Sequence, residues 1–284
     1  MPEVTEQALA KLNLFLRVLE RRNDGYHAIE TLILPVTLAD GVTVETRPDD
    51  GDIVAAVEGA GAGRVPQDER NLAVRAAAAI REATGRSDGV RITIDKRIPV
   101  AAGLGGGSAD AAAVLRALGN VWSVTEDDLA DVAAGVGSDV PALLERRPVI
   151  ARGRGETVGP VGVPQLHWVL LVQPFGVSSG DAYRWWDQDG RPPGPEPGPV
   201  IDSARAGDID ALTNLVFNDL ERPVAARHPE VIEATRVLLE AGAVGTVMCG
   251  SGPTVAGLCR NDPHADEVAR ATEGIVVRTV TGRG

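Results

Sequence analysis

Alternation of apolar and polar positions dominates the first third of the chain. Residues 30–38 (ETLILPVTL), 41–47 (GVTVETR) and 52–59 (DIVAAVEG) carry strand-like patterns rich in β-branched residues. An apolar run over 9–16 has the same strand character, although Lys11 and Asn13 sit inside it. The period then changes. Residues 70–84 (RNLAVRAAAAIREAT) predict a helix stopped by Gly85, and 90–95 (VRITID) a further strand. Thr125 with Asp128 makes a capping-box-like helix start, and 137–144 (GSDVPALL) predict a turn or short helix entered through Ser138 and Asp139. Beyond these come a strand at 166–172, helices at 209–220 and 229–241, and a strand, glycine turn and strand through 243–259. A short helix at 264–272 and a strand at 275–280 end the pattern. Residues 187–200 are dense in proline and glycine and predict a surface loop. The second half therefore has the order of a split βαβ, ferredoxin-like arrangement.

One stretch stands apart from this patterning. In PVAAGLGGGSADAAAVL (99–115), Gly103, Gly105, Gly106 and Gly107 fall within five positions. Glycine accepts positive φ and lets another group approach the main chain closely. Ser108 is a good N-cap, and Ala109, Ala111, Ala112 and Ala113 are strong helix formers, so a helix is predicted to start near Ser108. A helix start exposes unpaired N–H groups and a partial positive charge, a combination that binds phosphate. The loop is no Walker A loop, because the chain contains no Gly-Lys pair. Nor is it a Rossmann fingerprint. Gly103, Gly105 and Ser108 give G-x-G-x-x-S, and Lys-Arg-Ile-Pro separates the strand from the turn.

Composition narrows the partners. A chain of 284 residues, 44% hydrophobic, is long enough for two modest domains with their own cores. A net charge of −12 disfavours nucleic acid as a partner and leaves any polyanionic substrate to local donors. No apolar run reaches membrane-span length and the N-terminus lacks a signal-peptide core, so a cytoplasmic location without a membrane partner is expected. Cys249 and Cys259 have no metal-ligand spacing and are expected as buried thiols. Of 28 basic residues only two are lysines, Lys11 and Lys96. In so arginine-rich a chain, a lysine marks a position where a compact point charge differs from a guanidinium fork.

The glycine loop resembles the P-x-x-x-G-L-G-x-G-S-S/A loop of the GHMP kinases. Ala10-Lys11-Leu12-Asn13 resembles that family's early A-K-x-N element, and GSGPT (250–254) its late G-S-G-P-T element. The three occur in order over nearly the whole chain. Residues 11–32 (KLNLFLRVLERRNDGYHAIETL), GSDVPALL and VSSGDAY (177–183) are similar to one branch of the family, whose substrate is a cytidyl diphosphate sugar alcohol. Three departures stand out. Leu9 replaces a common proline, Ala109-Asp110 replaces Ser-Asn, and Ala142 replaces an aromatic.

The resemblance implies an α+β, two-domain GHMP-kinase fold. Residues 1–155 would form a ribosomal-protein-S5-domain-2-like domain carrying the phosphate loop, and 156–284 a ferredoxin-like split βαβ domain. The implied reaction moves the γ-phosphoryl group of ATP, with Mg²⁺, to a tertiary 2-hydroxyl, a step in mevalonate-independent isoprenoid synthesis. Asp139 would be the catalytic base, with Lys11 pairing it and stabilising charge on the transferring group. Pro99, Val100, Ala101, Ala102, Gly103, Leu104, Gly105, Gly106, Gly107, Ser108 and Ala109 would hold ATP phosphates, Ser108 Oγ would lie close to Mg²⁺, and Asn71 would contact adenine. Asn13, Tyr26 and His27 fall to the substrate. His27 would pair with the cytosine edge while Tyr183, or else Trp185, stacks on its face. Lys96 is either a nucleotide contact or plain surface, and Gly250, Ser251 and Gly252 form a supporting turn. The expected molecule is a monomer or weak homodimer acting on a small-molecule substrate. Another small-molecule kinase of the family, such as a homoserine kinase, and a non-catalytic ligand sensor are the alternatives.

Overall fold

The computed structural model describes residues 2–48, 51–190 and 192–282. Its first strands are longer than their sequence pattern predicts. β1 (Glu3–Arg21) and β2 (His27–Arg47) are hydrogen-bonded neighbours. The strands expected at 30–38 and 41–47 are one. Asp40, the polar step that resembles a break, is buried, and its Oδ1 accepts the amides of Arg97 (2.5 Å) and Ile98 (2.8 Å). A buried carboxylate with these partners anchors the strand and does not end it.

Packing gathers the chain into two compact units, each built from separated segments. The first comprises Met1–Ala10, Leu38–Val100 and Gly105–Glu145, the second Lys11–Thr37, Ala101–Leu104 and Arg146–Gly284. No single cut near residue 155 yields them, because β1 and β2 each contribute residues to both.

In the first unit, β3 (Ile53–Gly59), α1 (Leu72–Thr84) and β4 (Gly89–Lys96) make a βαβ element with β3 parallel to β4. Residues 41–47 of β2 pair antiparallel with β4. α2 (Gly106–Trp122), α3 (Glu126–Val136) and α4 (Val140–Leu144) follow. Ala73, Ala76 and Ala77 of α1 and Ala112 and Ala113 of α2 are fully buried, so small side chains let these two packed helices approach closely. Gly85 ends α1 in the left-handed conformation, and Thr125 caps α3 by accepting the Asp128 amide, both as the sequence predicts. α2 departs from expectation. It begins at Gly106, with Gly105 at the N-cap in the left-handed region (φ +71°), so Ser108 lies within the first turn.

In the second unit, β5 (Val149–Gly153) pairs antiparallel with residues 29–33 of β2 and with β6 (Thr157–Pro160). Then come β7 (His167–Leu171), α5 (Ser179–Asp189), α6 (Gly198–Ala206), α7 (Ile209–Leu215), β8 (Phe217–Asn218), α8 (Glu221–Ala225) and α9 (Glu230–Glu240). β9 (Gly245–Met248), β10 (Val255–Cys259), α10 (Asp262–Thr272) and β11 (Ile275–Arg278) complete the chain. A four-stranded antiparallel sheet has the order β11-β7-β10-β9, the order of a ferredoxin-like split βαβ. Val169, Val231, Leu238 and Met248 lie in its core. The loop expected at 187–200 is shorter, since α5 runs into it and α6 starts inside it; a proline in a helix's first turn costs no intrahelical bond. The helix expected over 209–220 stops at Leu215. Phe217 and Asn218 instead pair in parallel with Phe15 and Leu16 of β1. Cys249 and Cys259 are buried free thiols, pushed up by burial to about 12 and about 11.

Candidate active site

Lys11 lies in β1 with only 4% of its surface exposed. Its Nζ donates to Asn13 Oδ1 (2.9 Å) and to the Gly103 carbonyl (3.0 Å), while its backbone amide donates to Leu104 O (3.0 Å). Asn13 in turn donates from Nδ2 to Thr31 Oγ1 (2.9 Å), and Thr31 donates to Phe15 O. Asn13, expected at the substrate, is thus turned to the lysine and orients it. A buried ammonium needs such partners, and together they hold its charge in one place.

The segment Ala101–Leu104 is clamped from a second side by the 249–252 turn. Gly103 has φ +78°, and a Cβ built on it would stand 2.0 Å from Cys249 O and 2.9 Å from Gly252 N. On Gly250 (φ +53°) a Cβ would meet Lys11 Nζ at 2.6 Å and Gly103 O at 2.8 Å. The turn is fastened by Asn218, whose Nδ2 donates to Met248 O and Gly250 O, each at 2.7 Å, and by Glu221, whose carboxylate accepts the Met248 amide at 2.9 Å. This explains the end of α7. Asn218 must leave the helix to make these bonds. Burial raises the Glu221 carboxyl above its ordinary pKa, against the pull of that amide.

In the first unit, α2 starts without a side-chain cap and with no acidic residue in its first turn. The N–H groups of Gly106, Gly107 and Ser108 therefore lead an uncompensated helix terminus. A Cβ on Gly107 would find only Leu72 Cδ1, at 3.8 Å, so space lies before it. These features fit the phosphates of a nucleotide. Ser108, half-buried, adds a hydroxyl suited to an accompanying cation. Among the described residues no group of three or more His, Cys, Asp or Glu gathers that could hold a metal ion. Asn71 caps α1 by accepting the Ala73 amide and donates to Pro66 O.

Asp110, the departure that places a carboxylate near this loop, is turned inward. Lys96, 3% exposed, is held between Asp110 Oδ2 (2.9 Å) and Asp40 Oδ2. Lys96 is therefore not a surface residue. It neutralises buried carboxylates beneath the loop. Burial pulls the lysine's pKa down, but the two carboxylates more than offset this and leave it above its ordinary value. Burial raises Asp110 to about 7, opposed by Lys96 and assisted by Asp40. Folded Asp110 thus binds its proton more tightly than the unfolded chain, whose value is 3.8. Its contribution to stability is complete at low pH and is lost as pH rises through about 7. Asp110→Asn removes that slope while Asp40 still pairs Lys96. In urea melts from about pH 4 to about pH 8, the variant's stability relative to the natural protein should rise with pH. Parallel curves would mean that Asp110 does not titrate there.

Asp139 occupies the N-cap position of α4, half-buried, yet its carboxylate makes no capping hydrogen bond. The ordinary role of an aspartate at a helix start is not the one it fills.

His27, at the start of β2, is nearly buried and is caged by α5. Its Nε2 lies 2.7 Å from Asp187 Oδ1. Tyr183 stacks on it (centroids 5.0 Å, interplanar angle 13°), and Trp186 meets it edge-on (5.7 Å, 83°). Trp185 faces elsewhere, beside His228 and under Arg227. The structure thus brings Tyr183 to His27 and leaves Trp185 apart from it. Tyr26 is 53% exposed, with the Arg154 guanidinium 5.3 Å from its ring centre, an open aromatic face next to the histidine in sequence.

Several of these residues escape the sequence patterns. Trp186 and Asp187 lie three and four positions after Tyr183, the spacing of one helix face, which is a usable signal. Asp40 is marked by being a charge inside an apolar strand. Thr31 and Asn218 carry no such mark.

Two family models match the chain. Residues 71–146 match the GHMP kinases N terminal domain and residues 200–273 the GHMP kinases C terminal domain. The chain belongs to the GHMP kinase family. Among its relatives, the 4-diphosphocytidyl-2-C-methyl-D-erythritol kinase of Mycobacterium tuberculosis is 41% identical over 286 aligned positions, spanning 98% of this chain and 89% of that protein. The enzyme of the same name from Symbiobacterium thermophilum is 42% identical over 253 positions, 88% of each chain. A crystal structure of 4-(cytidine 5'-diphospho)-2C-methyl-D-erythritol kinase superposes with a TM-score of 0.81 at 35% identity, covering 99% of this chain and 100% of that one. Homoserine kinase from Cytophaga hutchinsonii shares the fold, with a TM-score of 0.78 at 19% identity over 100% of this chain and 96% of its own.

Proposed function

We propose that the protein transfers the γ-phosphoryl group of ATP to the 2-hydroxyl of 4-diphosphocytidyl-2-C-methyl-D-erythritol, in mevalonate-independent isoprenoid synthesis. The observation that carries this reading is the aromatic and histidine assembly at His27. An imidazole fixed by Asp187 and Tyr183, with the exposed ring of Tyr26 next to it in the chain, suits a nucleobase. Homoserine and mevalonate have no base to offer such an assembly. The named relatives at 41–42% identity support the same substrate.

In this reading the substrate hydroxyl oxygen attacks the γ-phosphorus, the bond from that phosphorus to the ADP oxygen breaks, and the hydroxyl proton passes to the Asp139 carboxylate. Lys11, oriented by Asn13 and Gly103 O, offsets the negative charge of the transferring group. The amides at the start of α2 bind the ATP phosphates, with residues 99–109 forming the loop around them. Mg²⁺ bound with the nucleotide would neutralise phosphate oxygens, and Ser108 Oγ would be this chain's ligand for it. In this reading residues 1–155 carry every group of the transfer step, and residues 156–284 add Tyr183 and Asp187, which hold His27. The protein would act in the cytoplasm as a monomer or weak homodimer, without nucleic-acid or membrane partners. Among the described residues no helix is long and apolar enough to cross a membrane.

An ADP-release assay tests the proposal, with the cytidyl substrate set against homoserine. Turnover is expected with the first alone. Turnover of homoserine would reassign the substrate, and cytidyl binding without ADP release would leave a ligand sensor.

A further inference from the structure

The bond between His27 and Asp187 bears on which base is accepted. An ionised carboxylate only accepts hydrogen bonds, so the 2.7 Å contact requires the hydrogen on Nε2 of the imidazole. Which ring nitrogen carries the proton is set by the partner of the other, and in a neutral ring Nδ1 is then a bare acceptor. Rotation of the ring is opposed by Tyr183 lying nearly parallel to it and by Trp186 at its edge. Tyr183, Trp186 and Asp187 stand at i, i+3 and i+4 of α5, so a single helix face holds the ring's plane, edge and tautomer.

We propose that Asp187 is a specificity-determining positioning residue, which locks His27 as the Nε2–H tautomer so that Nδ1 presents an acceptor to the base. Cytosine offers an exocyclic amine donor where uracil offers a carbonyl acceptor. An acceptor at Nδ1 therefore favours the cytidyl diphosphate and leaves a uridyl diphosphate with two acceptors facing each other. The inference rests on the reading that His27 meets the base edge.

Two measurements test it. Long-range ¹H–¹⁵N correlation on the labelled full-length protein at about pH 8 should find His27 protonated on Nε2 and bare on Nδ1. A proton on Nδ1, alone or together with Nε2, would overturn the proposal. Titration calorimetry with cytidine diphosphate and uridine diphosphate then compares Asp187→Asn, Asp187→Ala and His27→Ala. The Asn amide can donate as well as accept, so Asp187→Asn should populate both tautomers. The cytidine-to-uridine affinity ratio should fall roughly tenfold in both Asp187 variants, the value of about one hydrogen bond. In kinetics, the KM for the cytidyl substrate should rise far more than kcat changes, and the KM for ATP should stay within about twofold. If His27→Ala binds cytidine diphosphate as the natural protein does, the reading of His27 as base contact fails. If His27→Ala weakens binding while both Asp187 variants keep the natural ratio, the role of Asp187 alone is overturned.

Discussion

Asp139→Asn should lower single-turnover phosphoryl transfer by about 10²-fold or more, the usual scale for a lost general base. The substitution keeps the size and shape of a side chain that does not cap the helix behind it, so α4 has no reason to unwind. What it removes is a carboxylate able to take the hydroxyl proton as the new bond forms. Binding of ATP and of the cytidyl substrate, each measured by calorimetry, should change little, because proton acceptance matters in the transition state and not in the bound ground state. An unchanged rate would place the base elsewhere or leave positioning to carry the reaction alone.

Gly103→Ala should be the most damaging single-methyl change in the glycine loop. Its Cβ would fall 2.0 Å from the Cys249 carbonyl oxygen and 2.9 Å from the Gly252 nitrogen, both main-chain atoms that no side-chain rotation can move aside. The φ of +78° adds strain of about 1–3 kcal/mol for a residue other than glycine. Forcing the loop off the 249–252 turn adds a further ~1–3 kcal/mol of overpacking. A drop in melting temperature on the order of 10 °C, or loss of the folded protein, follows for a chain of this size. Gly107→Ala is the contrast. Its new methyl meets only Leu72 Cδ1 at 3.8 Å, so the fold should survive while the KM for ATP rises. Equal melting temperatures for the two variants would show that the clamp on Gly103 yields easily. Gly106 is intermediate, inside α2, with Ile98 Cγ2 at 3.2 Å and Lys96 Nζ at 3.3 Å from its added Cβ.

That contrast separates local from tertiary information. Four glycines in a row of five, followed by serine and alanines, announce a bare loop before a helix, and the helix is there. Which glycine is indispensable depends on what lies against it. Gly103 is pressed by a turn some 150 residues further along, whereas Gly107 faces open space.

Much of this protein is legible in its sequence because the signals are local. The capping box at Thr125 and the αL glycine after α1 satisfy helix-end groups within a few residues, so they act the same way in any context. The sequence also marks Lys11 and Lys96 as unusual, in a chain that otherwise uses arginine.

What only the tertiary structure decides is the partner of each buried polar group. The sequence leaves Lys96 open to solvent, and the fold buries it between Asp40 and Asp110. Nothing in the sequence says that Asn13 holds Lys11, and the fold brings the two side chains together. His27 meets Asp187 across 160 positions, and Asn218 fastens a turn 30 and 32 positions away. Burial strips a charge or amide of water and makes a partner obligatory. A sequence states that such groups exist and how far apart they lie along the chain. Only the packing of β1, β2, α2 and α5 decides which of them meet.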